Sequence, residues 1–213
     1  MVCSQCQGIE KFFDGREAER RLRRYRKSGP GKSTRILVDA IKAYSADGKT
    51  LLDIGGGIGA VQHELMKAGV TEATCVEAST AYIDAASEEA VRQGHGDRVT
   101  FHHGDFIDMA ASLQPAHIVA LDRVICCYHD VERLVGLSSG LATEVYGLVY
   151  PRGNWALKAA FRLFNIILWL RRSPFRIFIH ADSVVDAAIR SNGLQRRFYR
   201  KTLLWQVVVY GLS

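Results

Sequence analysis

No apolar stretch in this chain of 213 residues is long enough to span a bilayer comfortably. The longest, 156–170, is interrupted by Lys158, Arg162 and Asn165. The opening MVCSQCQGIEK lacks the basic and apolar regions of a secretory signal. Cysteine is scarce and odd in number: five residues, scattered, with Cys126 and Cys127 adjacent in an apolar segment. That argues against a disulfide scaffold and for a reducing, cytoplasmic setting. Cys3-x-x-Cys6 resembles half a zinc site, but no second C-x-x-C and no H-x₃-H follows. A structural zinc ion needs about four ligands, so no metal is expected and the segment reads as packing on the domain. His102 and His103 are neighbours on an expected strand, where adjacent side chains point to opposite faces and cannot readily share one ion. Internal repeats and low-complexity runs are also lacking.

What is present suits one α/β domain with modest additions. Hydrophobic residues make up 48% of the chain, enough for a real core. The net charge of +6 is unevenly distributed. Residues 16–35 carry nine basic residues against Glu17 and Glu19, and residues 152–201 carry eleven against Asp182 and Asp186. Between them, residues 36–151 hold seven basic and sixteen acidic residues. An acidic middle between basic flanks implies separate jobs for the parts.

The first 44 residues read as helical, with a break at Ser28-Gly29-Pro30-Gly31 and Ser33 or Thr34 as the cap of the next helix. Strands and helices then alternate. Strands are expected at 50–54, 73–77, 99–102, 117–121 and 145–150, with helices between them, one of them capped by Ser79. Continuous apolar strands separated by helices imply a parallel sheet covered on both faces. A further helix is expected at 181–191, and the tail 194–212 alternates as an antiparallel hairpin turning near Thr202.

The first specific signal is DIGGGIGA, residues 53–60. Gly55, Gly57 and Ala60 fit a G-x-G-x-x-A nucleotide loop, and Gly59 lies within it. Glycines permit positive φ and close backbone approach to a ligand. Asp53 opens the stretch. An ionised carboxylate there would repel a pyrophosphate but suit the ammonium and sulfonium of S-adenosylmethionine. Glu77 closes the second strand, 24 residues on, where an acid accepts from ribose hydroxyls. Asp105 follows the third strand in VTFHHGDF, where a carboxylate can accept from an adenine amino group and the Phe106 backbone can meet the ring.

In order and spacing, LLDIGGGIGA, CVEAS, FHHGDF and HIVALDRVICC resemble the first motif, second motif, adenine-contacting segment and fourth strand of class I S-adenosylmethionine-dependent methyltransferases. The resemblance covers 36–151 well. A finer similarity is to small-molecule enzymes such as the magnesium-protoporphyrin methyltransferases. The implied fold is a Rossmann-like, doubly wound, seven-stranded sheet, mostly parallel with an antiparallel last strand. To it would be added an N-terminal helical cap (1–45) and a helical insertion (152–180) within a methyltransferase domain of 46–213. The implied cofactor is S-adenosyl-L-methionine, held by Asp53, Gly55, Gly57, Gly59, Glu77, Ala78, Asp105, Phe106 and Asp122.

Methyl transfer from a sulfonium is an in-line displacement by an already activated donor, so proximity and exclusion of water dominate. The reacting centre should face LDRVICCYHD, where Arg123, Tyr128 and His129 are candidates: His129 as a base, Arg123 as an anion holder or an acid's partner. The 152–180 segment interleaves Trp155, Phe161, Phe164, Trp169, Phe175 and Phe178 with Arg162, Arg171, Arg172 and Arg176. It reads as a cationic-rimmed lid, as a packed amphipathic helix, or as a membrane-surface contact through 155–178. The expected partner is a small, anionic, partly aromatic acceptor. Alternatives are an RNA methyltransferase using the basic arm 16–35, a non-catalytic cofactor-binding regulator, and an NAD oxidoreductase, which Asp53 disfavours. No Asn/Asp-Pro-Pro-Tyr motif for a flipped base follows the fourth strand. Acceptor identity and oligomeric state are not legible.

Overall fold

The computed structural model describes residues 4–44 and 46–212, with side chains from residue 8 onward. Cys3 and the side chain of Cys6 therefore lie outside the described residues. Three helices come first: α1 (Ser4–Phe12), α2 (Gly15–Ser28) and α3 (Lys32–Lys42). The alternating part follows as β1 (Thr50–Ile54), α4 (Ala60–Met66), β2 (Glu72–Glu77), α5 (Thr80–Arg92), β3 (Val99–His103), α6 (Phe106–Met109), β4 (Ala116–Asp122), α7 (Val131–Gly140) and β5 (Ala142–Pro151). The chain ends with α8 (Trp155–Leu170), α9 (Asp182–Arg190), β6 (Leu194–Lys201) and β7 (Trp205–Leu212).

Seven strands form one sheet in the order β3-β2-β1-β4-β5-β7-β6. The first five are parallel, and β7 pairs antiparallel with both β5 and β6. This is the doubly wound sheet expected from the strand pattern, with its antiparallel end. The order reverses at β1, so the crevice opens beyond the carboxyl ends of β1 and β4. Alternate residues along a strand serve opposite faces. In β5, Tyr146 and Leu148 join the core beneath α6, α7 and α9, whereas Val145 and Val149 join the core beneath α3 and α4. Gly147 lets α3 lie directly on β5, since a Cβ there would come within 2.8 Å of Leu37.

The start of α3 departs from expectation. Gly31 is its N-cap and offers no side-chain bond, while Ser33 and Thr34 are buried inside the first turn. The break at Pro30 starts the helix earlier, and Thr34 turns inward to the end of β4, where its hydroxyl donates to Asp122 at 2.6 Å. Ser79 does cap α5, accepting from the Tyr82 N–H at 3.3 Å.

Candidate active site

The ends of β1, β2 and β4 open into a cavity of about 880 Å³. Its floor is the glycine loop. Gly55, Gly57 and Gly59 have φ of 62°, 58° and 75°, values that favour glycine. Gly56 is needed for space: a Cβ there would sit 2.7 Å from Asp53 Oδ2 and 3.0 Å from Cys75 Sγ.

Asp53 lies under this loop, completely buried, and does not line the cavity. Neither carboxylate oxygen has a hydrogen-bond partner. Burial, then the nearby Asp122 and Glu77 charges, push its pKa up to about 8; the Gln62 backbone amide offsets this in part without hydrogen-bonding geometry. From its place in the motif alone, Asp53 reads as ionised. In the protein alone burial favours the protonated carboxyl, and a cation drawing near would favour the charged one.

Glu77 lines the cavity at the end of β2. Its Oε2 accepts from the Gly57 N–H and its Oε1 from the Ser79 N–H, both at 2.9 Å. Burial raises its pKa, and the backbone N–H groups of Gly57, Ser79 and Ala78 counter that. A carboxylate has about four lone-pair sites, so two directions stay open for ligand hydroxyls. Ala78, Asp105 and Phe106 continue the same wall. Asp105 caps α6 through the Ile107 N–H at 3.0 Å and accepts from the Tyr128 hydroxyl at 2.8 Å. Capping and cavity lining are thus combined in one side chain. Tyr128 therefore stands beside Asp105 in the cavity wall.

The opposite wall is cationic and aromatic. Arg123 holds a left-handed φ of 65°, fixed by its N–H bond to the Val149 carbonyl at 2.8 Å. Its Nε donates to Asp122 Oδ1 at 3.1 Å, and its Nη2 donates to Asp122 Oδ2 and to Thr34 Oγ1, each at 3.2 Å. The Asp122 charge raises the arginine's pKa. The guanidinium carbon lies 5.7 Å from the Trp205 ring centroid. Arg20, Arg21 and Arg24 of α2 reach the same cavity. Tyr82 lines it too, with a buried hydroxyl that has no partner. Sequence reasoning missed Thr34, Tyr82 and Trp205 because each lies far along the chain from the motifs. The Arg-rich stretch of α2 was the one available signal for the basic rim.

His129 is exposed and stacked on Tyr128, with ring centroids 5.7 Å apart, outside the cavity lining. Gly59 also lies outside the lining, as the N-cap of α4. Of the aromatic residues in 152–180, Phe175 alone lines the cavity, and Arg162, Arg171, Arg172 and Arg176 do not. Phe175 stacks on Phe12 at 4.3 Å, so α1 closes over this side. From α1, Glu10 accepts from the Thr80 hydroxyl at 2.6 Å, which ties the helix to the start of α5. Among the described residues no three His, Cys, Asp or Glu side chains gather in a metal-binding group.

Comparison with known proteins agrees with this geometry. Residues 51–153 match the family described as "Methyltransferase domain". The 3-amino-4-hydroxybenzoate 4-O-methyltransferase of Streptomyces cremeus is 30% identical over 88 residues, 38% of this chain. The match spans only 22% of that relative's length. Magnesium protoporphyrin IX methyltransferase from Synechocystis PCC 6803, with SAH bound, superposes with a TM-score of 0.72 at 18% identity, covering 96% of this chain and 98% of that one. An O-methyltransferase family protein from Burkholderia thailandensis gives 0.68 at 17% identity, covering 94% and 60%. Strand order and family match agree over the alternating core: residues 51–153 match a methyltransferase domain, on a fold shared with these methyltransferase structures.

Proposed function

We propose that this protein transfers a methyl group from S-adenosylmethionine to a small acceptor that is anionic and partly aromatic. The observation that carries this reading is the polarity of the cavity. One side presents Glu77 and Asp105, after β2 and β3; the other presents Arg123 and Trp205, after β4 and at the start of β7, with Arg20, Arg21 and Arg24 of α2 also lining the cavity. The acidic side suits a cationic nucleoside. Glu77 would accept from ribose hydroxyls and Asp105 from the adenine amino group, with the Phe106 backbone against the ring. The Tyr82 hydroxyl, orphaned and lining the cavity, fits such a ligand, and Asp53 beneath the loop would act on it through its charge. The glycine loop admits it without side-chain obstruction.

When bound, the donor supplies an activated methyl group, and this chain's residues align the acceptor and exclude water. Arg123 is held by Asp122 and Thr34 through Nε and Nη2, which leaves Nη1 to meet an anion in the cavity. Trp205 and Phe175 offer apolar faces to a planar acceptor. With His129 outside the cavity, the reading favours an acceptor oxygen that arrives already ionised, a carboxylate or an acidic phenol. Tyr128 and Asp122 then act by positioning Asp105 and Arg123. RNA is the weaker reading. No Asn/Asp-Pro-Pro-Tyr motif for a flipped base follows β4.

The test is transfer of labelled methyl from the donor to a panel of aryl carboxylates, hydroxyaryl acids, their neutral esters and RNA. Turnover confined to the anionic small molecules, with a shallow salt dependence, is expected. Turnover on RNA with a log–log salt slope near −0.7 per phosphate contact would replace the reading.

A further inference from the structure

The longest described helix turns an apolar side outward. The inward side of α8 consists of Leu157, Phe161, Phe164, Asn165 and Leu168, at helical spacing and at least half-buried. Asn165 clamps the helix to the segment that follows: its amide donates to the Ile177 carbonyl at 2.7 Å, and its Oδ1 accepts from the Ile177 N–H at 2.9 Å. The opposite side carries Trp155, Ala159, Leu163, Ile166 and Leu170, whose 4-4-3-4 spacing makes one stripe. Trp155 is 83% exposed, Leu163 61% and Leu170 68%. A surface helix ordinarily gives such a stripe to the core; here the helix is held by its other side, through Asn165 to Ile177 and Phe164 against Phe12. Leu203, at the β6–β7 turn, is also 83% exposed. Arg152, just before α8, donates to the Thr202 and Leu203 carbonyls, so turn and helix start are tied together.

The charges around this face are of one sign. Residues 152–181 contain six basic and no acidic residues. Lys158 and Arg162 border the stripe along the helix, and Arg171 and Arg172 follow its C-terminal end, all exposed. Arg20, Arg21, Arg23 and Arg26 of α2 have carboxylate partners; these four have none among the described residues. A second copy of the chain packed here by two-fold symmetry would bring these cations against their own images. A scattered few exposed leucines need no explanation, but a contiguous apolar stripe with a cationic border does.

We propose that this face docks on an anionic lipid surface, with the α8 stripe in the interfacial layer and the border arginines at the level of the phosphates. Leu203 and Leu204 also line the cavity, so the docking face adjoins it. Docking requires no turnover and stands apart from the assignment of the acceptor.

The experiment is co-sedimentation of the full chain with phosphatidylcholine vesicles, with and without phosphatidylserine, with Trp fluorescence followed in parallel. Binding to the phosphatidylserine vesicles, a blue shift and loss of binding at high salt are expected. The Arg171→Ala/Arg172→Ala variant should partition about thirtyfold more weakly, at about 1 kcal/mol per cation near the surface. Leu163→Asp/Ile166→Asp should abolish binding while S-adenosylhomocysteine affinity, the check on folding, stays unchanged. Equal partition onto neutral vesicles, or none onto either kind, overturns the proposal. So does a dimer in sedimentation that Leu163→Asp/Ile166→Asp dissociates while vesicles are ignored.

Discussion

Replacing Asp53 by Asn should stabilise the cofactor-free protein and weaken its grip on the methyl donor. The carboxyl is completely buried, unpartnered, and held near pKa 8 instead of 3.8. A folded-state value above the unfolded one means that the native protein holds the proton more tightly. Stability is then full below pH 3.8 and declines as pH rises toward 8. Each unit is worth about 1.4 kcal/mol, so the decline reaches about 4 kcal/mol at pH 7 and less than half of that at pH 5. Asparagine does not ionise and escapes this loss, but it leaves a buried amide unsatisfied at a cost of about 1–3 kcal/mol. The net gain at pH 7 is about 1–3 kcal/mol, and for a chain of this size each kcal/mol raises Tm by about 2–4 °C. Thermal melts of both proteins from pH 5 to pH 8 measure it, and the gap should widen with pH. Calorimetry should show the variant binding S-adenosylmethionine about tenfold more weakly, a difference of about 1.4 kcal/mol, since no negative charge can form beneath the sulfonium. A Tm gap of the same size at every pH would show that burial does not govern this carboxyl, and the argument would fail.

Three further outcomes follow from the geometry. His63 is buried 2.9 Å from His95, and burial first, then His95, lowers its pKa to about 4. Between pH 6.5 and 4 the unfolded chain takes up the proton the native state refuses, so stability should fall there by about 3 kcal/mol. Urea unfolding of wild type and His63→Gln at pH 7 and 4.5 checks this; identical slopes would refute it. Arg123→Ala should raise acceptor KM by about tenfold to a hundredfold, the loss of one hydrogen bond to a charged group, with kcat nearly unchanged and donor affinity intact. An equal fall in donor affinity would place Arg123 on the wrong side of the cavity. Chelators should leave turnover intact, and activity restored by one divalent ion would contradict this.

The sheet was legible because its strands are short apolar runs with local stops, and so were the places of Glu77 and Asp105 in the cavity wall, because both sit at strand ends that spacing alone can locate. What the sequence concealed depends on contacts between distant segments. Thr34 looks like a helix cap until Asp122, 88 residues away, draws its hydroxyl inward. Asp53 looks like an exposed charge until the loop closes over it. His129 and Tyr128 are equivalent on paper, yet Tyr128 turns in to Asp105 while His129 faces outward. The aromatic 152–180 segment reads as a lid, but only Phe175 among its aromatic residues reaches the cavity, because Asn165 fixes which side of α8 faces in.

The most direct test is calorimetric titration of the protein with S-adenosylhomocysteine and, separately, with NAD, repeated with Glu77→Ala. The account predicts that S-adenosylhomocysteine binds and NAD binds far more weakly. It also predicts that removing the Glu77 carboxylate, which loses two charge-assisted ribose bonds, weakens the former by about a hundredfold or more. NAD binding more tightly, or Glu77→Ala binding S-adenosylhomocysteine as well as the wild type does, would contradict it.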